Sequence, residues 1–246
     1  MKQRVPRLLP WLDERRPDVV CLQETKLADD AFEALLGDEL SQRGYQIALH
    51  GEAQWNGVAI LSKAGLEDVT AGITDAPGFP DPEARALAAT CAGVRVQTVY
   101  VPNGRTPDSE HYRYKLDWLA ALVEVVRHGH EAVLVCGDMN IAPADIDVFD
   151  PDAYVGQTHV TAPERDALAQ LHGVGLRDVL RERWPGERVK AAWVDRQARK
   201  GSGPSDHAPV IVDLDEAPDG DIGPVIPPPS APVVKRGVAK LPRSAR

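Results

Sequence analysis

A short apolar run that ends in a cluster of polar side chains constrains this chain more than any other stretch. Residues 133–136 read VLVC, and GDMN follows at 137–140. Four strand-forming apolar residues predict a buried strand, which delivers the carboxylate of Asp138 and the amide of Asn140 into a loop. Loops at the carboxyl ends of buried strands often hold groups that bind ligands, because the sheet beneath them is rigid. The structural alternative is an Asx-type turn, in which both side chains only bond nearby backbone.

Helical and strand-like patterns alternate along the chain, which predicts an α/β fold. Helices are expected where apolar residues recur every three or four positions, at residues 5–12, 29–43, 109–126 and in a shorter segment that ends at 172. Strands are expected at residues 19–22, 45–49, 58–61, 87–92, 94–101, 133–136, 176–180 and 208–214. Several strands follow one another without a helix between them, so we expect antiparallel pairing.

The composition is that of one globular domain, expected over residues 1–214. The chain has 246 residues, 43% of them hydrophobic, which is enough for a sizeable core. Its formal net charge of -9 argues against a broad basic surface for nucleic acid but allows a local site that uses a metal ion. Cys21, Cys91 and Cys136 lie in separate apolar runs without a CxxC pair, so we expect buried thiols in a reducing compartment and no zinc site. No apolar run is long enough to span a membrane, and we expect a cytoplasmic protein with no membrane partner.

The composition changes near residue 215. Residues 215–246 are rich in proline and lack apolar periodicity, so we expect a disordered tail that adds nothing to the core. The end of this tail is basic and could contact nucleic acid or another anionic partner, while a purely solubilising role is the alternative. Its cations are Lys235, Arg236, Lys240, Arg243 and Arg246.

Polar groups stand at the ends of several apolar runs. A mixed sheet can bring such strand ends to one rim, and hard oxygen ligands of this kind suit Mg²⁺ or Mn²⁺. A histidine beside them can orient a phosphate oxygen or handle a proton, so the set indicates phosphate ester cleavage. Each residue also has a structural alternative, such as a surface charge for Glu24, a core-edge aromatic for Tyr100 or a turn for residues 205–207. The polar set is Glu24, Asp138, Asn140, Asp206 and His207.

Five motifs occur in the order and context found in one nuclease family. They are QETK at 23–26, NGVAILSK at 56–63, YVPNG at 100–104, GDMN at 137–140 and SDHAPV at 205–210. Over residues 4–214 the chain therefore resembles the exonuclease III family of apurinic/apyrimidinic endonucleases, within the deoxyribonuclease I-like superfamily. The resemblance implies a four-layer α/β sandwich of two packed, mostly antiparallel sheets, with the site at one rim.

The resemblance also implies a function. The family hydrolyses DNA on the 5′ side of abasic sites and removes nucleotides from 3′ ends of duplex DNA. The implied partner is double-stranded DNA with abasic sites or blocked 3′ ends, bound by a monomer that uses Mg²⁺ or Mn²⁺. Two alternatives stay open: another metal-dependent phosphodiesterase or phosphatase of the same superfamily, acting on RNA, lipid or inositol phosphates, and a catalytically impaired paralogue that still binds DNA.

By resemblance, three residues handle the metal and the attacking water. Glu24 matches the metal-binding glutamate, Asp138 the aspartate that orients or deprotonates the water, and Asn140 the amide that holds a phosphate oxygen or that water. The implied reaction is in-line attack of water on the phosphate, with Mg²⁺ and His207 stabilising the charge that develops. The implied metal set is Glu24, Asp138, Asn140, Asp206 and His207.

The resemblance assigns further residues to the DNA. Tyr100 matches the tyrosine near the scissile phosphate or leaving group, and His207 matches the catalytic histidine, with Asp206 beside it. Lys115 is implied as a basic phosphate contact. The implied substrate-binding set is Asn103, Lys115 and Asn140, and the implied catalytic set is Tyr100, Asp138, Asn140 and His207.

Two segments of the family have no counterpart in this sequence. One is a first strand with a WN-type motif ahead of the helix near Arg4, and the other is a segment with an RIDxxL strand between Val189 and Lys190. The aspartate of the second segment hydrogen-bonds the catalytic histidine in the family. Asp195 lies beyond the gap, and we do not expect it to substitute. We therefore expect a domain that is incomplete at these two places, less stable and less active than full-length members.

Overall fold

Two sheets with helices on their outer faces form the described part of the protein. The computed structural model describes residues 1–73, 83–129, 133–182 and 188–214, so the predicted tail at 215–246 lies outside it. None of the helices in these ranges is long and apolar enough to cross a membrane. The helices are α1 (Val5–Arg15), α2 (Asp29–Gln42), α3 (Glu110–Arg127) and α4 (Ala162–Gly173). The strands are β1 (Val19–Gln23), β2 (Gln46–His50), β3 (Val58–Ser62), β4 (Glu67–Ala71), β5 (Ala86–Cys91), β6 (Val94–Tyr100), β7 (Val133–Asp138), β8 (Val189–Val194) and β9 (Val210–Leu214).

The two larger sheets contain β1 to β7. The first sheet has the order β1-β3-β2, and the second has the order β4-β5-β6-β7. The strand pairs within them are antiparallel except β6 with β7, which are parallel because α3 carries the chain back across the sheet. β8 and β9 form a separate antiparallel pair. The predicted antiparallel pairing is therefore confirmed, with one parallel exception that matters for the site.

Apolar clusters separate the layers of the fold. Ile60 of the first sheet and Leu87 of the second belong to the cluster between the sheets. Phe32 of α2 packs on the outer face of the first sheet, and Trp118 of α3 and Leu171 of α4 pack on the outer face of the second. Burying a large apolar side chain in this way contributes roughly 1.5–3 kcal/mol. The order of helices, sheet, sheet and helices confirms the predicted four-layer α/β sandwich.

The sequence of α3 explains both its start and its orientation. The Ser109 hydroxyl accepts the backbone amide of Tyr112 at 3.1 Å, which caps the helix. One face of the helix is buried at helical spacing, through Lys115, Trp118 and Leu122. Lys115 therefore points into the protein with the apolar residues of the helix, although it is the one charged member of that face.

The structure differs from the predicted strands at three places. Residues 176–180 were expected to form a strand, and this prediction is wrong. They form turns instead, because the Asp178 carboxylate accepts the backbone amides of Leu180 and Arg181. β4 was not predicted, because its residues are mostly exposed and follow no apolar pattern. β8 runs across the junction at Val189 and Lys190 and pairs with β9.

Candidate active site

The carboxyl ends of β1, β6 and β7 meet at one rim of the sandwich. The parallel register of β6 and β7 places Tyr100 beside Asp138, at the last residue of each strand. Gly137 makes this approach possible, because a Cβ there would lie 1.9 Å from the carbonyl oxygen of Val99. Glu24 directly follows β1 and contacts the Tyr100 hydroxyl. The structure therefore brings three of the predicted site residues together.

Glu24 and Tyr100 form a hydrogen-bonded pair. The Tyr100 hydroxyl donates to Oε1 of Glu24 at 2.5 Å, and the ammonium of Lys26 lies 3.3 Å from Oε2. Burial and the neighbouring Glu24 carboxylate raise the pKa of Tyr100 well above its ordinary value of 10.0, so the phenol stays protonated and serves as a donor. The Glu24 backbone has a left-handed φ of 53°, and its side chain is 46% exposed. The carboxylate is thus held in place while part of it faces solvent.

Asp138 and Asn140 fix the loop after β7. The backbone amide of Asn140 donates to Oδ1 of Asp138 at 2.9 Å, which is the bond of an Asx-type turn. The Asn140 side chain donates one N–H to the carbonyl oxygen of Val101 at 2.8 Å, and its backbone has a left-handed φ of 50°. These bonds use neither Oδ2 of Asp138 nor the second side-chain N–H of Asn140. The turn and a ligand site can therefore coexist in the same four residues.

His207 lies at the same rim, in the loop before β9. Its Nε2 is 3.8 Å from Oδ2 of Asp138 and 3.9 Å from Oδ2 of Asp206. The imidazole is 66% exposed, and the Asp206 side chain is 86% exposed. The backbone amide of His207 donates to the Ser205 hydroxyl at 3.2 Å. Asp138 is thus in a position to become the carboxylate partner of His207 after a shift of less than 1 Å, to the normal hydrogen-bond distance of about 2.9 Å.

Asp195, which we did not expect to substitute for the missing aspartate, has a structural role. Its carboxylate is fully buried and accepts Nε of Arg15 at 2.8 Å and Nε1 of Trp11 at 3.0 Å. It also accepts the backbone amide of Gln197 at 3.1 Å and so caps the short 3-10 helix Arg196–Arg199. These bonds tie the carboxylate to α1 and not to His207.

The donors at the rim fit a metal ion that keeps much of its water. Among the described residues, no three His, Cys, Asp or Glu side chains come close enough to hold a metal by themselves. Mg²⁺ usually takes only one or two carboxylates and completes its shell with water and substrate phosphate. Glu24, with its partly exposed carboxylate, fits that mode. The predicted set of five metal-binding residues does not form one cluster of ligands in the described structure.

Lys115 is buried beneath the rim and does not face solvent. Its side chain has no exposed surface, and Nζ donates to Oε1 of Glu164 at 2.5 Å. Nζ also donates to the backbone carbonyls of Asn140 at 2.7 Å and Asn103 at 3.3 Å. This placement corrects the predicted phosphate contact, because an enclosed ammonium with three acceptors cannot also reach a phosphate. Lys115 instead ties together the loops that carry Asn103 and Asn140.

Glu164 is the buried partner that the sequence analysis missed. Besides Lys115, it accepts the Thr158 hydroxyl at 2.6 Å, the backbone amide of His159 at 2.9 Å and the hydroxyl of Thr161 at 2.8 Å. Burial alone would raise the pKa of Glu164, but these hydrogen bonds lower it to about 2. The sequence signal was the capping box at the start of α4, in which Glu164 follows Thr161 by three residues.

His159 joins Asn103 on the outer side of the rim and was also missed. Oδ1 of Asn103 accepts the backbone amide of Arg105 at 3.1 Å, so Nδ2 is the atom that lies 3.1 Å from Nε2 of His159. Nδ2 is a donor, which places the imidazole proton on Nδ1. Burial lowers the pKa of His159, and its backbone has a left-handed φ of 80°. The rim therefore presents a neutral histidine beside the predicted substrate-binding residue Asn103.

Several known proteins are similar to this chain in sequence. The model of the Endonuclease/Exonuclease/phosphatase family matches residues 3–210. An exodeoxyribonuclease of Bacillus subtilis (strain 168) is 29% identical over 187 residues, which are 75% of this chain and 71% of that protein. The DNA repair nuclease APEX1 of Danio rerio is 31% identical over 183 residues, which are 73% of this chain and only 58% of that protein.

Two solved structures share the fold over most of the chain. A 3′ phosphatase, NExo from Neisseria, bound to a product DNA hairpin, is 34% identical with a TM-score of 0.79, and the match covers 87% of this chain and 95% of that one. An AP endonuclease from Archaeoglobus fulgidus is 32% identical with a TM-score of 0.78, over 87% of this chain and 95% of that one.

Proposed function

Because the chain belongs to the endonuclease/exonuclease/phosphatase family, we propose that it is a DNA repair nuclease of the exodeoxyribonuclease III type. It hydrolyses phosphodiester bonds on the 5′ side of abasic sites and removes nucleotides from 3′ ends of duplex DNA. The observation that carries the proposal is the rim itself, where the Glu24–Tyr100 pair, Asp138 and His207 come together. The names of the Danio rerio and Archaeoglobus fulgidus proteins support repair of abasic DNA.

The rim residues supply the groups that phosphodiester hydrolysis needs. Oδ2 of Asp138 orients the attacking water and accepts its proton, while the exposed imidazole of His207 binds a phosphate oxygen. The second N–H of Asn140 donates to another phosphate oxygen. The one O–H of Tyr100 is donated to Glu24, so Tyr100 holds that carboxylate beside the scissile phosphate. The family generally depends on a divalent metal, which Glu24 would hold and which would neutralise charge on the phosphate as a Lewis acid.

A 3′ phosphatase activity at the same site is the second candidate. It is favoured by the Neisseria structure, whose protein is described as a 3′ phosphatase and shares the fold over 87% of this chain. Both reactions attack a phosphorus atom with water, so the same residues serve them. The difference lies in whether DNA continues beyond the phosphate.

Three DNA duplexes separate these activities. One carries a single internal abasic site, one ends in a 3′ phosphate and one ends in a 3′ hydroxyl, and each is incubated with Mg²⁺ or with EDTA. We expect nicking at the abasic site and shortening of the 3′ hydroxyl end, both only with the metal. Release of phosphate alone would make the protein a 3′ phosphatase. Binding without any cleavage would make it an impaired paralogue.

The metal role of Glu24 gives a direct prediction. Glu24→Gln keeps the shape of the side chain but removes the charge that a hard cation requires, so the Mg²⁺ concentration for half-maximal activity should rise by about 10-fold or more. A Mg²⁺ titration of nicking measures this. Lys26→Gln is the matched control, because it changes a charge 3.3 Å from the carboxylate without removing the ligand. If Glu24→Gln leaves the titration unchanged, Glu24 is not a metal ligand.

A further inference from the structure

One face of α1 is turned toward the loop that leads to His207. Arg4, Arg7, Trp11 and Arg15 are spaced by three or four residues and so lie on one side of the helix. Each of these four side chains bonds to residues 195–204, which we call the 195–204 loop. A row of arginines at helical spacing is ordinarily a solvated face. Here it is an intramolecular contact between the first helix and the far end of the described chain.

Two arginines supply most of the contacts along the loop. Nη1 of Arg4 donates to the carbonyl oxygens of Gly203 at 2.9 Å and Pro204 at 2.7 Å. Arg7 donates to three more carbonyl oxygens of the loop, at distances of 2.6 to 2.9 Å. The acceptors of Arg7 are Ala198, Lys200 and Ser202. Charge-assisted bonds of this length are among the stronger hydrogen bonds in proteins.

The first residue of the loop is fixed as well. Asp195 is held by Arg15 and Trp11, and its backbone amide donates to the carbonyl oxygen of Pro209 at 2.8 Å. The loop is therefore anchored at its start by a buried ion pair and along its length by Arg4 and Arg7. Arg4 binds the carbonyl oxygen of Pro204, the last residue of the loop, and Pro204 is only three positions before His207.

The loop needs such anchors because its own sequence does not define one conformation. It includes Gly201 and Gly203, both with left-handed φ values, of 90° and 61°. Glycine has access to many backbone conformations, so ordering it costs more entropy than ordering other residues. The His207 side chain at its end is mostly exposed and lies 3.8 Å from Asp138. The position of the imidazole therefore depends on whatever holds the backbone before it.

We propose that Arg4 and Arg7 are positioning residues for His207, acting through the carbonyl groups of the 195–204 loop. This inference rests on the proposed function, in which His207 binds the phosphate. The competing role for two partly buried arginines near a DNA site is direct contact with DNA phosphates. The geometry favours positioning, because Arg7 already donates to three carbonyl oxygens and has correspondingly few N–H groups left for a phosphate.

A double-mutant cycle separates these two roles. Arg4→Ala and Arg7→Ala are combined and measured in the wild-type protein and in His207→Ala, with an abasic duplex as substrate. In the wild-type background kcat should fall about 10- to 100-fold with KM nearly unchanged, since small misplacement of a catalytic group has effects of that size. In the His207→Ala background the same pair should cause no further loss of kcat. Arg43→Ala, which removes a partly buried arginine bound to Asp13 and Glu39, should leave kcat unchanged.

The opposite outcomes would overturn the proposal. Two results would show that the arginines bind DNA directly. One is a loss of kcat that the arginine pair still causes in the His207→Ala background. The other is a rise in KM together with a fall of about 1, for each arginine lost, in the slope of the logarithm of the DNA-binding constant against the logarithm of the salt concentration. Arg4→Lys and Arg7→Lys keep the charge but lose the forked geometry, and they replace the alanine variants if melting curves show that those do not fold. If the arginines only bind DNA through their charge, the lysine variants should keep full activity. That result would contradict the positioning role.

A readout without substrate tests the positioning of His207 separately from the proposed function. Backbone ¹⁵N relaxation of His207 reports the order of the loop, and it should show increased motion in the combined Arg4 and Arg7 variant but not in Arg43→Ala. If the wild-type protein cleaves none of the duplexes, the proposed function fails while this test still stands. If His207 stays equally ordered in the variant, the positioning role is wrong whatever the activity.

Discussion

Replacing Asp138 with asparagine should lower the rate of abasic-site nicking by about two orders of magnitude or more, the usual size of a general-base contribution. The amide still offers Oδ1 to the backbone amide of Asn140, so the turn after β7 should survive. The asparagine side chain lacks the negative charge near His207 and cannot take a proton from water. Turnover at saturating Mg²⁺ and DNA measures the effect. DNA binding in EDTA should stay close to that of the wild-type protein.

A surface aspartate between β7 and α4 provides the control for this change. Asp150 is exposed and caps a short helix by accepting the backbone amide of Asp152 at 3.2 Å. Asp150→Asn alters the charge of the protein by the same amount at a side chain that caps a helix, so its turnover should match the wild type. Parallel loss of binding and turnover in Asp138→Asn, with an intact melting curve, would mean that Asp138 has a structural role.

The buried pair beneath the rim should dominate the stability of this part of the protein. Glu164→Gln leaves the Lys115 ammonium enclosed without a counter-charge, and breaking a buried pair in this way costs about 3–5 kcal/mol of unfolding free energy. Typical domains have only about 5–15 kcal/mol in total, so the variant should be close to unfolding in mild urea. Urea titration measures this loss. Activity should fall as well, because the same ammonium holds the carbonyl groups of Asn103 and Asn140.

An exposed pair on α3 is the comparison for Glu164. Glu124 pairs with Arg127 at the surface, and both side chains are partly exposed. Glu124→Gln should therefore cost less than about 1 kcal/mol, as exposed pairs usually do. Replacing both partners, as Lys115→Met with Glu164→Leu, should recover only the part of the loss that comes from the unpaired ammonium, because Thr158, His159 and Thr161 still lose their acceptor. Equal losses for Glu124→Gln and Glu164→Gln would contradict the buried role.

The stabilisation by Glu164 should depend on pH in a defined direction. Its folded pKa of about 2 lies below the ordinary value of 4.5, so the unfolded chain takes up a proton first as the medium becomes acidic. The contribution is fully present above the unfolded pKa and disappears as the pH falls from about 4.5 toward 2. The difference in unfolding free energy between wild type and Glu164→Gln should therefore be smaller at pH 3 than at pH 7. A constant difference would contradict the ionised state of Glu164.

Local patterns in the sequence predicted the helices, most strands and the meeting of strand ends at a rim, while the four layers were implied by the resemblance to the exonuclease III family. Apolar runs of four to eight residues define strands, and a polar motif directly after such a run lies where the strand leaves the core. The GDMN and YVPNG motifs follow this rule, which is why Tyr100 and Asp138 meet as predicted. The roles of these residues in catalysis stay predictions until the variants are measured.

The wrong prediction for Lys115 comes from contact between residues far apart in the chain. The family resemblance implied a phosphate contact for Lys115, but the helical spacing with Trp118 and Leu122 buries it. Its partner Glu164 is 49 residues away, and no local pattern joins the two. The turn at Asp178 shows the reverse case, in which a single side chain overrides a short apolar pattern.

The left-handed backbone at the rim carries a consequence for attempts to make this protein more heat-resistant. Glu24, Asn140 and His159 hold φ values of 53°, 50° and 80°, and each such residue costs about 1–2 kcal/mol relative to the right-handed form. Glycine would adopt these conformations without that cost. A laboratory selection for thermal stability should therefore enrich glycine at these three positions. The selected variants would be more stable but would have lost the site. A library for thermostability should keep these three codons fixed and vary the rest of the chain.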